Sequence, residues 1–134
     1  MIKKNIIIFG DSHSRCFNNF YYKNKYINIF SGATAKGLNN KNSISQTNKK
    51  IKNIINNKND DILIFFFGRV DIDFIVHYKM MLNQNIDEYI NEIVKSYFNF
   101  INSLNKKNII ILGIYPNHLN RIQFKYYIKQ LNKN

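Results

Sequence analysis

Four short runs of β-branched and aromatic residues constrain the fold of this chain more than any other feature of its sequence. The runs cover residues 5–9, 26–30, 62–67 and 108–113. Three of them are continuously apolar rather than alternating, a pattern typical of strands that are buried on both faces of a parallel sheet. The chain is therefore predicted to form its core around a parallel sheet of about four strands.

Amphipathic stretches separate these runs and are predicted to be helices. They cover residues 14–22, 43–55, 71–82, 86–104 and 119–131. The longest carries apolar side chains at i, i+3, i+4 and i+7, which is the spacing of one helix face. Because strands and helices alternate, the prediction is a three-layer α/β/α sandwich that forms one domain over residues 1–134.

The composition excludes several classes of protein. A hydrophobic fraction of 45% is too high for a disordered chain. The single cysteine, Cys16, excludes a disulfide framework and a cysteine-based zinc site. No apolar run approaches the length of about 18 residues that a membrane span needs. We therefore expect a soluble cytoplasmic protein without a membrane partner, and we expect neither a cofactor nor a metal.

The net charge of +12 would attract phosphate-rich partners. The lysines are nevertheless spread along the chain, and there are only three arginines, whereas a nucleic-acid binder is expected to cluster its charge. The sequence therefore disfavours nucleic acid as the main partner. In so lysine-rich a chain, Arg15, Arg69 and Arg121 are better candidates than the lysines for bidentate contacts with a ligand.

Small and polar residues follow the predicted strands at their carboxyl ends, where reactive groups collect in parallel sheets. After the first strand, Gly10 allows a sharp turn and Ser12 falls at the start of the next helix. Free N–H groups and the helix dipole favour developing negative charge there, so Ser12 is a candidate nucleophile. The alternative is that Asp11 and Ser12 only cap the helix.

The strand ends resemble three sequence blocks of the GDSL/SGNH-hydrolase superfamily. The three segments are Gly10-Asp11-Ser12, Ser31-Gly32-Ala33-Thr34 and Gly68-Arg69-Val70-Asp71. The resemblance implies a flavodoxin-like strand order, with Ser12 as nucleophile and the N–H groups of Ser12 and Gly32 as oxyanion donors. It also implies an ester substrate, such as an O-acetylated carbohydrate, with either hydrolysis or acyl transfer as the reaction.

Two departures from the family pattern affect the catalytic set. Val70 stands where the family has an oxyanion-binding asparagine, and Arg69 is a candidate substitute. The family's Asp-x-x-His block after a fifth strand is absent, so we expect the domain to lack the last strand and helix of the family. His118 then becomes the candidate general base, because it follows the fourth predicted strand on the same sheet edge as Ser12.

Several further residues are expected to lie in or near the substrate site. Asp11, His13, Arg15 and Asp71 are expected to line the substrate site, while His77 is expected to pack within its helix. Asp71 is alternatively a helix acid opposite Arg69 or Arg15.

Two alternatives stay open for the function of the chain, together with one prediction about its assembly. The run Asp11-Ser12-His13, with Asp71 and Asp73 at another strand end, also resembles a metallophosphoesterase. A non-catalytic domain that binds a sugar or an acidic partner is a further alternative. The strand edge left open after Gly113 predicts pairing with another chain, and hence a homo-oligomer.

Overall fold

The computed structural model describes residues 3–114 of the chain. Its four strands are β1 (Ile6–Gly10), β2 (Lys25–Ile29), β3 (Ile62–Phe66) and β4 (Ile109–Ile111). All neighbouring pairs are parallel, and the strand order is β2-β1-β3-β4. The predicted α/β architecture with a four-stranded parallel sheet is thereby confirmed, and the order is the one expected. β1 lies inside the sheet, with Gly10 in register with both Ile29 and Phe66.

Helices connect the strands, and all of those described except the 3₁₀ turn after β2 overlap a stretch predicted to be helical. They are a 3₁₀ helix (Ser12–Asn19), a 3₁₀ turn (Lys36–Asn39), α1 (Thr47–Ile55), a π-helical segment (Asp71–Val76) that continues into α2 (His77–Met81), and α3 (Ile86–Ser103). None of the helices within residues 3–114 is long and apolar enough to cross a membrane. The predicted helix over residues 119–131 lies outside the described residues.

The first helix differs from its prediction, because it is a 3₁₀ helix and ends at Asn19 rather than continuing to residue 22. The Phe20 N–H donates to the Phe17 carbonyl at 3.1 Å. The Lys25 ammonium, from the start of β2, donates to the carbonyls of Phe17 and Phe20. These bonds satisfy the last carbonyls of a short helix, so no further turn is needed to pair them.

The main core lies between one face of the sheet and the helices α1 and α3. Phe65 stacks on Phe9 with ring centroids 5.1 Å apart and meets Phe100 of α3 edge-on at 6.3 Å. The apolar stripe predicted for α3 is confirmed by its buried residues, which are Tyr89, Ile93, Tyr97, Phe100 and Ile101. Val94, which follows Ile93 on the same helix, is half exposed.

The opposite sheet face is covered by the first 3₁₀ helix. Ile8 is buried on this face, and Phe17 of the helix meets Phe66 edge-on with ring centroids 5.6 Å apart. Side chains of a strand alternate between faces, so β1 and β3 are buried on both sides, as their continuous apolar runs predicted. This contact holds the helix that begins at Ser12 against the sheet.

Candidate active site

The turn after β1 is held between the ends of its two neighbouring strands. The Gly10 carbonyl accepts a hydrogen bond from the Phe30 N–H at 2.8 Å, and the Asp11 N–H donates to the Phe66 carbonyl at 3.4 Å. A Cβ atom on Gly10 would lie 1.7 Å from Ser14 Oγ and 2.6 Å from the Phe66 carbonyl oxygen. Only glycine therefore fits where this turn leaves the sheet.

Ser12 begins the 3₁₀ helix and is partly exposed. Gly32 lies in a turn that the Ala33 N–H closes by donating to the Phe30 carbonyl at 3.0 Å. Its φ of +75° fits the third position of such a turn, and the space around its Cβ position is open. Among residues 3–114, the N–H groups of Ser12 and Gly32 have no hydrogen-bond partner. Two free donors therefore stand on the loops that follow adjacent strands.

Asp11 couples the start of the first helix to His13. The buried Asp11 carboxylate caps the helix, because its Oδ1 accepts the His13 N–H at 2.9 Å. The same oxygen lies 3.1 Å from His13 Nδ1. The imidazole is 41% exposed, so one ring nitrogen is held by a buried carboxylate while the ring remains accessible to solvent. Sequence analysis placed both residues in the pocket but did not pair them.

Asp71 links the loop after β2 to the helix that follows β3. Its Oδ2 accepts the Ala35 N–H at 2.6 Å, and its Oδ1 accepts the Lys36 N–H at 3.2 Å. The side chain is completely buried. Burial raises the pKa of Asp71, the hydrogen bonds from Ala35 and Lys36 oppose this effect, and the charge of Asp11 adds to it. Because β1 lies between β2 and β3, this link passes over the end of β1.

Arg69 pairs with Asp73 on the same helix, with Nε and Oδ2 2.8 Å apart. Both side chains are largely buried. Asp71 lies in the first turn of its helix, as the alternative for this residue predicted, and the N–H groups of Ala35 and Lys36 bind its carboxylate. Val70, in the position of the family's asparagine, is half-buried and carries no amide, whereas Arg15 is exposed.

The metallophosphoesterase alternative needs several metal-ligating side chains at one point. Within residues 3–114, no three or more His, Cys, Asp or Glu side chains cluster closely enough to hold a metal ion. His77, predicted to pack within its helix, lies with Nδ1 2.9 Å from the Ile72 carbonyl oxygen. The predicted base His118 and the candidate ligand-binding residue Arg121 lie outside the described residues.

Two buried polar side chains near the site were missed by sequence analysis. Among the described residues, Ser14 Oγ and Asp11 Oδ2 are buried without a hydrogen-bond partner, and the Tyr97 hydroxyl is buried near the Phe67 backbone. Burial raises the pKa of Tyr97, the Phe67 backbone opposes this effect, and the charges of Asp11 and Asp71 add to it. Tyr97 fits the apolar stripe of α3, so nothing in the spacing distinguishes its hydroxyl. Ser14 could have been recognised from its position four residues after Gly10.

A small cavity adjoins the Gly32 turn. It encloses about 130 Å³. Its lining residues are small or carry hydroxyl groups, apart from one leucine: Gly32, Ala33, Thr34, Gly37, Leu38, Ser43, Ser45 and Thr47. Ser45 Oγ lies 3.0 Å from Thr47 Oγ1, so the hydroxyls already form part of a polar network.

Comparison with protein families, with curated proteins and with solved structures finds no match to this chain. The resemblance to the GDSL/SGNH-hydrolase superfamily therefore stays an expectation that rests on the three sequence blocks. What the structure contributes is the placement of those blocks: all three follow parallel strands at one edge of the sheet, in the segments after β1, β2 and β3.

Proposed function

We propose that this chain is an SGNH-type serine esterase or acyltransferase, with Ser12 as the nucleophile. The observation that carries the proposal is the position of Ser12. It begins a helix at the carboxyl edge of the sheet, and its own N–H and that of Gly32 have no partner among the described residues. Donors of this kind stabilise negative charge that develops on a carbonyl oxygen in the transition state.

The substrate that we propose is a small ester, such as an O-acetyl group on a carbohydrate. The cavity of about 130 Å³ beside Gly32 is small, and hydroxyl groups from Thr34, Ser43, Ser45 and Thr47 line it. Such groups donate and accept hydrogen bonds, so they suit a hydroxyl-bearing substrate better than a long acyl chain. Hydrolysis and acyl transfer share the attack by Ser12, and both belong to the proposal.

A second candidate function is a non-catalytic domain that binds a sugar or another ligand at the same edge. It is favoured because the side chains expected to contact substrate already bind other groups of the protein. Asp71 is bound to Ala35 and Lys36, and Arg69 is paired with Asp73. With Val70 in place of asparagine, the third oxyanion donor of the family also has no counterpart at that position. Loss of one such donor costs roughly a hundredfold or more in rate.

Hydrolysis of 4-nitrophenyl acetate separates the two candidates. We expect Ser12→Ala to reduce turnover by about 10³-fold or more, since it removes the attacking oxygen. Ser103→Ala is the matched control, because Ser103 ends α3 before β4 begins, and the start of β4 lies at the opposite edge of the sheet. Turnover that survives Ser12→Ala in a folded protein would refute the esterase function, whereas saturable glycan binding without turnover would support the second candidate.

A further inference from the structure

We infer that Asp11 and His13 form the proton-accepting pair of this site, with His13 as general base and Asp11 as the residue that positions it. The inference rests on the proposed function and adds to it the group that receives the proton from the nucleophile. It places the base in the first helix, directly after Ser12, instead of in a block near the carboxyl end of the chain.

The geometry of the pair is that of a base held by a carboxylate. Asp11 Oδ1 lies 3.1 Å from His13 Nδ1, within hydrogen-bond distance. The carboxylate is fully buried and also accepts the His13 backbone N–H at 2.9 Å. One carboxylate oxygen thus contacts both the backbone and the ring of the same residue. A hydrogen bond at Nδ1 fixes the imidazole tautomer and leaves Nε2 as the basic nitrogen.

The exposure of the two side chains supports the same assignment. Asp11 has no exposed surface, whereas the His13 side chain is 41% exposed. A buried carboxylate that only needed to cap the helix would require the backbone N–H alone. The other described histidine, His77, has its Nδ1 2.9 Å from the Ile72 carbonyl oxygen. His13 combines a carboxylate partner at Nδ1 with a ring that is accessible to solvent.

Ser12 and His13 are adjacent, so their side chains leave the 3₁₀ helix about 120° apart. The inference therefore requires one bridging water between Ser12 Oγ and His13 Nε2, an arrangement through which general bases act. As the proton leaves, Oγ bonds to the ester carbon. The tetrahedral intermediate then collapses, the ester C–O bond breaks, and the leaving oxygen takes the proton from His13. In hydrolysis, a water attacks the acyl group by the same route and restores the Ser12 hydroxyl.

The first test measures the rate at which a fluorophosphonate modifies Ser12, followed by mass spectrometry of the intact full-length protein. General bases contribute about 10²–10⁴-fold, so we expect His13→Ala to slow the modification by at least about 100-fold. Added imidazole should speed the modification of the His13→Ala variant by at least about tenfold. A purely structural role of His13 would not allow this rescue. His77→Gln is the matched control, with an expected rate within about threefold of the unaltered protein.

The outcomes separate this inference from the proposed function. If Ser12 of the unaltered protein is not modified at all, the proposed function fails and the inference fails with it. If Ser12 is modified equally fast after His13→Ala, the esterase proposal stands and the inference is overturned. Rescue by imidazole in His118→Ala but not in His13→Ala would also overturn it, and would assign the base to His118.

The role of Asp11 is tested by a double-mutant cycle. Asp11→Asn retains an oxygen that can cap the helix but removes the charge that supports a protonated imidazole. We expect about a tenfold or larger loss in rate from Asp11→Asn alone, and less than about a threefold further loss when His13 is already alanine. If the two substitutions reduce the modification rate by independent factors, Asp11 does not act through His13. Circular dichroism verifies that each variant is folded.

Discussion

Replacement of Gly10 by alanine is expected to destabilise the protein through a contact that the backbone cannot avoid. The added Cβ would lie 1.7 Å from Ser14 Oγ and 2.6 Å from the Phe66 carbonyl oxygen. Ser14 can change its rotamer, but the Phe66 carbonyl belongs to the end of β3, which pairs with β1. It also accepts the Asp11 N–H. The strand end itself would therefore have to move.

The size of the effect follows from comparison with two other glycines. Overpacking of a core costs about 1–3 kcal/mol and occasionally more, so we expect at least about 3 kcal/mol for Gly10→Ala, where backbone must shift. Gly32→Ala meets open space but keeps a φ of +75°, which costs about 1 kcal/mol in strain. An added Cβ at Gly113 would meet none of residues 3–114, and its φ is not positive, so the free energy of unfolding should change by less than about 0.5 kcal/mol.

Urea denaturation followed by far-UV circular dichroism measures all three values. Ser14→Ala in the Gly10→Ala background should restore part of the lost stability, because it removes the contact with Ser14 Oγ and leaves those with the Phe66 carbonyl and the Cβ at position 14. If Gly10→Ala changes the free energy of unfolding as little as Gly113→Ala does, the close contacts described at the end of β1 are wrong. The reason given for a glycine before Asp11 would then be wrong as well.

Two further predictions concern the buried groups beneath the site and in the core. Because burial raises the pKa of Asp71 in the fold, the folded protein retains a proton there at pH values above about 3.9, where the unfolded chain loses it. The free energy of unfolding should thus fall as pH rises through this window. Asp71→Asn should flatten that slope in urea titrations at several pH values, and equal slopes in the two proteins would contradict the assignment. Phe100→Ala, which removes a fully buried ring against Phe65, should cost about 3–5 kcal/mol in the same assay, and a loss below about 1 kcal/mol would contradict the packing described.

The sheet was predictable from sequence because burial on both faces leaves a direct signature. In β1 and β3, continuous apolar runs mark central strands, and the structure places these two strands side by side within the sheet. The glycines at 10 and 68 were likewise readable as the points where chains leave the sheet. Gly68 has a φ of +111°, a conformation that other residues rarely adopt.

The partners of the charged side chains at the edge were not predictable. Sequence placed Asp71 and Arg69 in a substrate site, but which group a carboxylate binds depends on which loop lies opposite it. In the structure that loop presents the N–H groups of Ala35 and Lys36, a contact across 36 and 35 residues of chain. The pairing of Asp11 with His13, unlike the contact of Asp71, joins residues that are close in sequence. It can therefore be inferred from a helix-capping aspartate that is followed two residues later by a histidine.

The contact between Asp71 and the backbone at 35 and 36 has a consequence for engineering this chain. It joins the segment after β2 to the helix after β3, and these two strands are not neighbours in the sheet. An insertion in either segment should therefore displace the other. Grafting a foreign segment into only one of them should therefore fail, whereas exchanging both as a unit should succeed. Lys41 and Asn42 are exposed and do not line the cavity, and within residues 3–114 no such contact joins them to the helix after β3, so they offer the more tolerant place for added sequence.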